Sequence, residues 1–65
     1  MKAYIARDKS GDIYMSTEKP RKAQGVWSAS LWRAIHIYNS DLPEGINPQW
    51  EDDEPIEVEL TIKRL

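Results

Sequence analysis

Apolar and polar positions alternate most regularly near the end of the chain. Ile56, Val58, Leu60 and Ile62 interleave with Glu57, Glu59, Thr61 and Lys63. A period of two marks a strand with one face buried and the other in water. The pattern predicts a strand over 56–63, entered from Pro55, with Glu57 and Glu59 on its solvent side. A second β pattern opens the chain. Two β-prone runs, 3–7 and 13–17, flank Asp8, Lys9, Ser10 and Gly11. Aspartate suits the first position of a type I turn, and glycine accepts the left-handed conformation that follows. A hairpin with a glycine bulge is predicted, in a register that sets Ile5 opposite Met15 and Ala6 opposite Tyr14. Ala3, Ile5, Ile13 and Met15 then share one face. Tyr4, Ala6 and Tyr14 share the other, which is apolar enough to need partial cover.

The middle of the chain is patterned less sharply. Residues 18–25, EKPRKAQG, read as an exposed connection, because Pro20 lacks a ladder donor and three bases gather beside it. Val26 and Trp27 read as a short strand, and 28–30 as a turn. Ile35 and Ile37 alternate with Ala34, His36 and Tyr38, which predicts a strand over 32–38. A short helix capped by Ser28 or Ser30 is the alternative, since Leu31, Ala34, Ile35 and Tyr38 also fit helical spacing. Residues 39–49 carry two prolines, a glycine and two asparagines and read as a loop, with Leu42 and Ile46 able to pin it through a 3₁₀ turn. Together these elements predict a single small domain, all-β or β-rich α+β. Its core would be a small antiparallel sheet or open barrel of four to five short strands, the last pairing with one of the first two. Trp27, Trp32 and Trp50 would supply much of its core.

Composition narrows the classes of function. At 65 residues the chain has little scope for a pocket that excludes water, so an enzyme is not expected. It has no cysteine, which removes disulfides and thiolate metal sites. The start, MKAYIARD, has no apolar signal region, and no run approaches the ~20 apolar residues of a membrane span. A cytoplasmic protein with no membrane contact is the expectation. The net charge of −2 hides an asymmetry: residues 1–40 hold seven bases and three acids, whereas 41–60 hold eight acids and no base. Such a layout can steer a charged partner, or let one half of the fold complement the other.

Three groups of residues carry candidate chemistry. Lys19, Arg21 and Lys22, with aromatic residues near, are the material of a nucleic-acid site, although a pI of about 5.2 argues against one. The run Glu51, Asp52, Asp53 and Glu54 has no glycine and no Ca²⁺-loop spacing. It reads as a charged lead-in that deters edge pairing, or as a mimic of a nucleic-acid backbone. Tyr4, Tyr14, Trp32 and Tyr38 exceed what the core of such a sheet absorbs, and tyrosine and tryptophan are favoured at binding hot spots. His36 is the single histidine, and no nucleophile motif accompanies it. No cofactor is expected.

The stretches AYIARD, STEKP, GVW and WEDDEPIEVEL together resemble a group of short accessory proteins of bacteria and their phages or other mobile elements. No activity, cofactor or ligand goes with that group, so no functional residue is carried over. The resemblance implies a small accessory protein acting on a host or phage protein, with Trp50 as an anchor that packs the acidic lead-in. These readings converge on a non-enzymatic protein-binding module, with another protein or a second copy of itself as partner. A nucleic-acid-linked role, through the basic half or by acidic mimicry, is the alternative.

Overall fold

The computed structural model describes residues 1–28 and 34–60. Among these, regular structure runs in the order β1 (Lys2–Arg7), β2 (Ile13–Ser16), β3 (Arg21–Ala23), β4 (Val26–Ser28), β5 (Ile35–Ile37), a 3₁₀ turn (Asn39–Asp41) and β6 (Ile56–Glu59). Four strands form one antiparallel sheet, ordered β5-β2-β1-β6, and β3 and β4 form a separate two-stranded sheet. The protein is therefore β-rich with almost no helix. Its larger sheet is open, with β5 and β6 as edges, and does not close into a barrel.

The first hairpin has the expected register. Ile5 pairs with Met15, Ala6 with Tyr14 and Arg7 with Ile13. The Gly11 amide donates to the Asp8 carbonyl at 2.9 Å, and Gly11 stands at φ 101°, a conformation that glycine adopts without steric cost. β6 adds to β1 with Val58 opposite Ala3 and Ile56 opposite Ile5. β5 adds to β2 with Ile37 opposite Ile13 and Ile35 opposite Met15. Side chains alternate across a strand, so these residues share one face, and Ala3, Ile5 and Ile13 are its buried centre. The opposite face is partly covered: Ala6 and Ser16 are buried, while Tyr4 and Tyr14 are half-buried.

Arg7 organises the loop that follows β5. Its guanidinium donates to the Pro48 carbonyl at 2.9 Å, the Gly11 carbonyl at 2.8 Å and Asn39 Oδ1 at 2.9 Å. A planar fork can reach three acceptors that a lysine could not. Pro48 is fully buried, so the loop is pinned chiefly by Pro48 and Arg7. Leu42 and Ile46, the expected pins, are half-buried.

The reading of 18–25 as a plain connection is corrected. Arg21–Ala23 is a strand, paired with β4 so that Lys22 faces Trp27 and Ala23 faces Val26. The two residues between, Gln24 and Gly25, both have positive φ, 43° and 85°, the pattern of a type I′ hairpin turn. Ser28, read as the start of a turn, belongs to β4. β2 stops at Ser16, whose hydroxyl donates to the Glu18 carbonyl at 2.6 Å and turns the chain away before Pro20. Of the strand expected over 32–38, the structure shows Ile35–Ile37, and of 56–63 it shows Ile56–Glu59. Residues 32–33 and 61–63 lie outside the described residues.

Candidate functional site

Three surfaces gather the candidate residues. The first is the β5 edge. Tyr14 on β2 and His36 on β5 are cross-strand partners, with ring centroids 5.2 Å apart, and Tyr38 stands edge-on to His36 at 4.9 Å. Asp12 Oδ1 lies 3.6 Å from His36 Nε2, an ion pair whenever the imidazole is protonated. On the other side of the strand Ile35 is 59% exposed, and Tyr38 beyond the strand is 65% exposed. Among the described residues no strand pairs with the outer side of β5. Tyr14 and Tyr38 are thus brought together by His36. Tyr4 stands apart on β1, between Ser16 and Glu57. Trp32 lies outside the described residues.

The second surface is the junction of the two sheets. Asp8, at the end of β1, is buried, and its carboxylate accepts from the Trp27 amide at 2.9 Å. The Trp27 indole N–H donates to the Arg7 carbonyl at 3.0 Å, and the Lys9 amide donates to the Gly25 carbonyl at 3.1 Å. These bonds tie the second hairpin to the tip of the first. Trp27 is buried, and Trp50 packs edge-on against it at 6.4 Å between centroids. Trp50, expected to pack the acidic lead-in against the sheet, is half-buried and meets Trp27 of β4. The Lys22 ammonium sits 4.6 Å from the centroid of Trp50 and 5.3 Å from that of Trp27. A groove of about 470 Å³ runs alongside, bordered by Lys19, Arg21, Lys22, Trp27, Asp53 and Glu54 among others.

The third is the acidic run, and the fold divides it. Lys19 Nζ lies 2.8 Å from Glu54. That hydrogen bond and charge raise the Lys19 pKa above its ordinary 10.5. Asp52 Oδ2 accepts from the Gln49 amide at 3.0 Å and so closes the turn beside Trp50. Glu51 and Asp53 face solvent. Among the described residues no three acidic or imidazole groups converge as metal ligands. Farther along, Glu57 lies 3.8 Å from Lys2 and Glu59 lies 2.8 Å from the N-terminal ammonium. Opposite halves of the charge layout thus meet on the surface of the fold.

Sequence reasoning missed the Lys22–Trp27–Trp50 stack and the role of His36 between two tyrosines. The first had a signal only in part: Gln24 and Gly25 as a two-residue turn would set Lys22 opposite Trp27, whereas nothing local brings Trp50 to them. The second had none, because it needs the β2–β5 register. No helix among the described residues is long and apolar enough to cross a membrane. No protein-family model matches the chain, and no curated protein or solved structure does so.

Proposed function

We propose that this chain is a small non-enzymatic protein-binding module of the cytoplasm, and that it binds a protein, or a second copy of itself, through the β5 edge. The observation that carries the reading is the state of that edge. Ile35–Ile37 carries no lysine or glutamate, exposes Ile35 and is followed by exposed Tyr38. An uncharged edge with no strand paired to it among the described residues is a template for an added strand. The Tyr14, His36 and Tyr38 rings beside it supply rigid contact area of the kind that hot spots use. The alternative, a nucleic-acid-linked role, would use Lys19, Arg21 and Lys22, or Glu51, Asp52, Asp53 and Glu54. Those two groups are partly engaged with one another through Lys19 and Glu54, which weakens the case for either as a free charged surface.

Sedimentation equilibrium at two salt concentrations, with and without a short duplex and a short single strand, tests the reading. A wild-type dimer that salt does not dissolve, with Ile35→Lys monomeric, still folded by its amide spectrum and melting lower by the loss of the dimer linkage, is the expected result. A strict monomer that retains no protein from a lysate would remove the basis of the proposal. Strand binding that falls steeply with salt would move the function to Lys19, Arg21 and Lys22.

A further inference from the structure

The Trp27–Trp50 stack supports an inference separate from the β5 edge. Two indoles that meet edge-on leave a notch, and here a cation already sits in it. The Lys22 ammonium is within 5.3 Å of both ring centroids, inside the range at which a ring quadrupole attracts positive charge. The lysine is exposed, and among the described residues no ion pair holds it there, the nearby Glu54 being paired with Lys19. An ammonium has three donors, and ring faces give those donors no oxygen acceptor. A quaternary ammonium has no donor to satisfy and is the better occupant of such a place.

The surrounding charge favours such a group. Four carboxylates, Glu51 to Glu54, follow Trp50 directly, against three bases, Lys19, Arg21 and Lys22. Lys19 and Glu54 neutralise each other. If Lys22 swings out, Arg21 is left against Asp53 on the wall of the groove, with Glu51 and Asp52 beside it only in the chain. The groove of about 470 Å³ beside Trp27, Asp53 and Glu54 gives room for the rest of a ligand. We propose that the Trp27–Trp50 notch is a receptor for a quaternary alkylammonium group and that Lys22 is its built-in placeholder. Displacing Lys22 costs little, because a surface cation–π contact is weak. Removing it should therefore tighten ligand binding by only about two- to fivefold.

The test follows the indole N–H resonances of the folded chain during titration with choline, with a short peptide bearing trimethyl-lysine, and with the neutral tert-butyl isostere of choline. Sodium chloride at matched ionic strength is the control. Saturable movement of the Trp50 and Trp27 signals is expected with either cation, at lower concentration in Lys22→Thr than in wild type, and not with the isostere. Lys22→Thr keeps a strand-forming residue at an exposed position, so it should remain folded. Trp50→Leu, confirmed folded by its amide spectrum, should lose the response. A peptide that binds more tightly than choline identifies a protein-borne source, and equal binding a free small molecule. No saturation in Lys22→Thr, an equal response to the isostere or to salt, or a response that survives in folded Trp50→Leu would overturn the proposal.

Discussion

The two hairpins of this protein are built alike and held differently. Each joins antiparallel strands through a turn with a glycine at positive φ, Gly11 in one and Gly25 in the other. In the first, β1 lies between β2 and β6 and buries Ala3, Ile5 and Ala6. In the second, every residue of β3 is exposed, and β4 buries Trp27 alone. A two-stranded hairpin by itself is marginal in water. The second hairpin persists because Asp8 and Arg7 bind Trp27 and because Trp50 packs on its indole. One hairpin is stabilised by its own alternating pattern. The other depends on Trp27, on the Asp8 carboxylate and Arg7 carbonyl that bind it, and on the Trp50 ring packed against it.

That contrast can be broken most directly at Trp27. Trp27→Ala should cost about 3–5 kcal/mol. A domain of this size has only a few kcal/mol in hand, so most of the chain should unfold if the hairpins form one cooperative unit. Amide hydrogen exchange is the decisive measurement. If β3 and β4 alone lose protection while β1 and β2 keep theirs, the second hairpin is an appendage and the contrast is complete. Next in size is Asp8→Ala, which leaves the buried Trp27 amide without its acceptor and should cost about 1–3 kcal/mol. A fall in the urea midpoint with an unchanged slope would register it. An unchanged midpoint would mean that water serves the amide equally well.

Gly25→Ala should cost about 1–2 kcal/mol, because a side chain at φ 85° strains the backbone even though the nearest atom, Lys9 Cβ, is 4.0 Å away. Gly11→Ala, at φ 101°, sharpens the comparison. A larger loss of β3–β4 protection from Gly25→Ala than of β1–β2 protection from Gly11→Ala would show which hairpin relies more on its turn. The smallest effect belongs to the Lys19–Glu54 pair, which is exposed. Lys19 is a base with a raised pKa, so the contribution of the pair is whole below about 10.5 and is lost as pH climbs through the raised value. Glu54→Gln should return the Lys19 titration, followed by NMR, to its ordinary range and leave the thermal midpoint nearly unmoved. A large fall in that midpoint would mean that the pair does more than decorate the surface.

What was legible in the sequence follows from where information is local. The alternation of Ile56 and Val58 with Glu57 and Glu59, and the Asp8 to Gly11 turn, specify strands and a register from neighbouring residues alone. The first hairpin and the β-rich class of fold could be read there. So could the pairing of the last strand with one of the first two. The β3 strand had only the Gln24–Gly25 turn to signal it, because Arg21, Lys22 and Ala23 present no apolar side and carry the charge of a loop. Of the candidate binding residues, Tyr14 and Tyr38 meet, but only through His36 and only once β5 has docked beside β2.

By itself the sequence determined strand periodicity, turn chemistry and the division of charge, since each depends on residues a few positions apart. Tertiary structure decided the rest. It set Trp27 against Trp50, placed Lys22 over both, left β5 as an uncharged edge among the described residues and brought Lys19 to Glu54. The physical reason is chain separation: a hydrogen bond from Arg7 to Pro48 or a ring contact from Trp27 to Trp50 joins segments with no local pattern in common. Such contacts exist only after the sheet has brought the segments together.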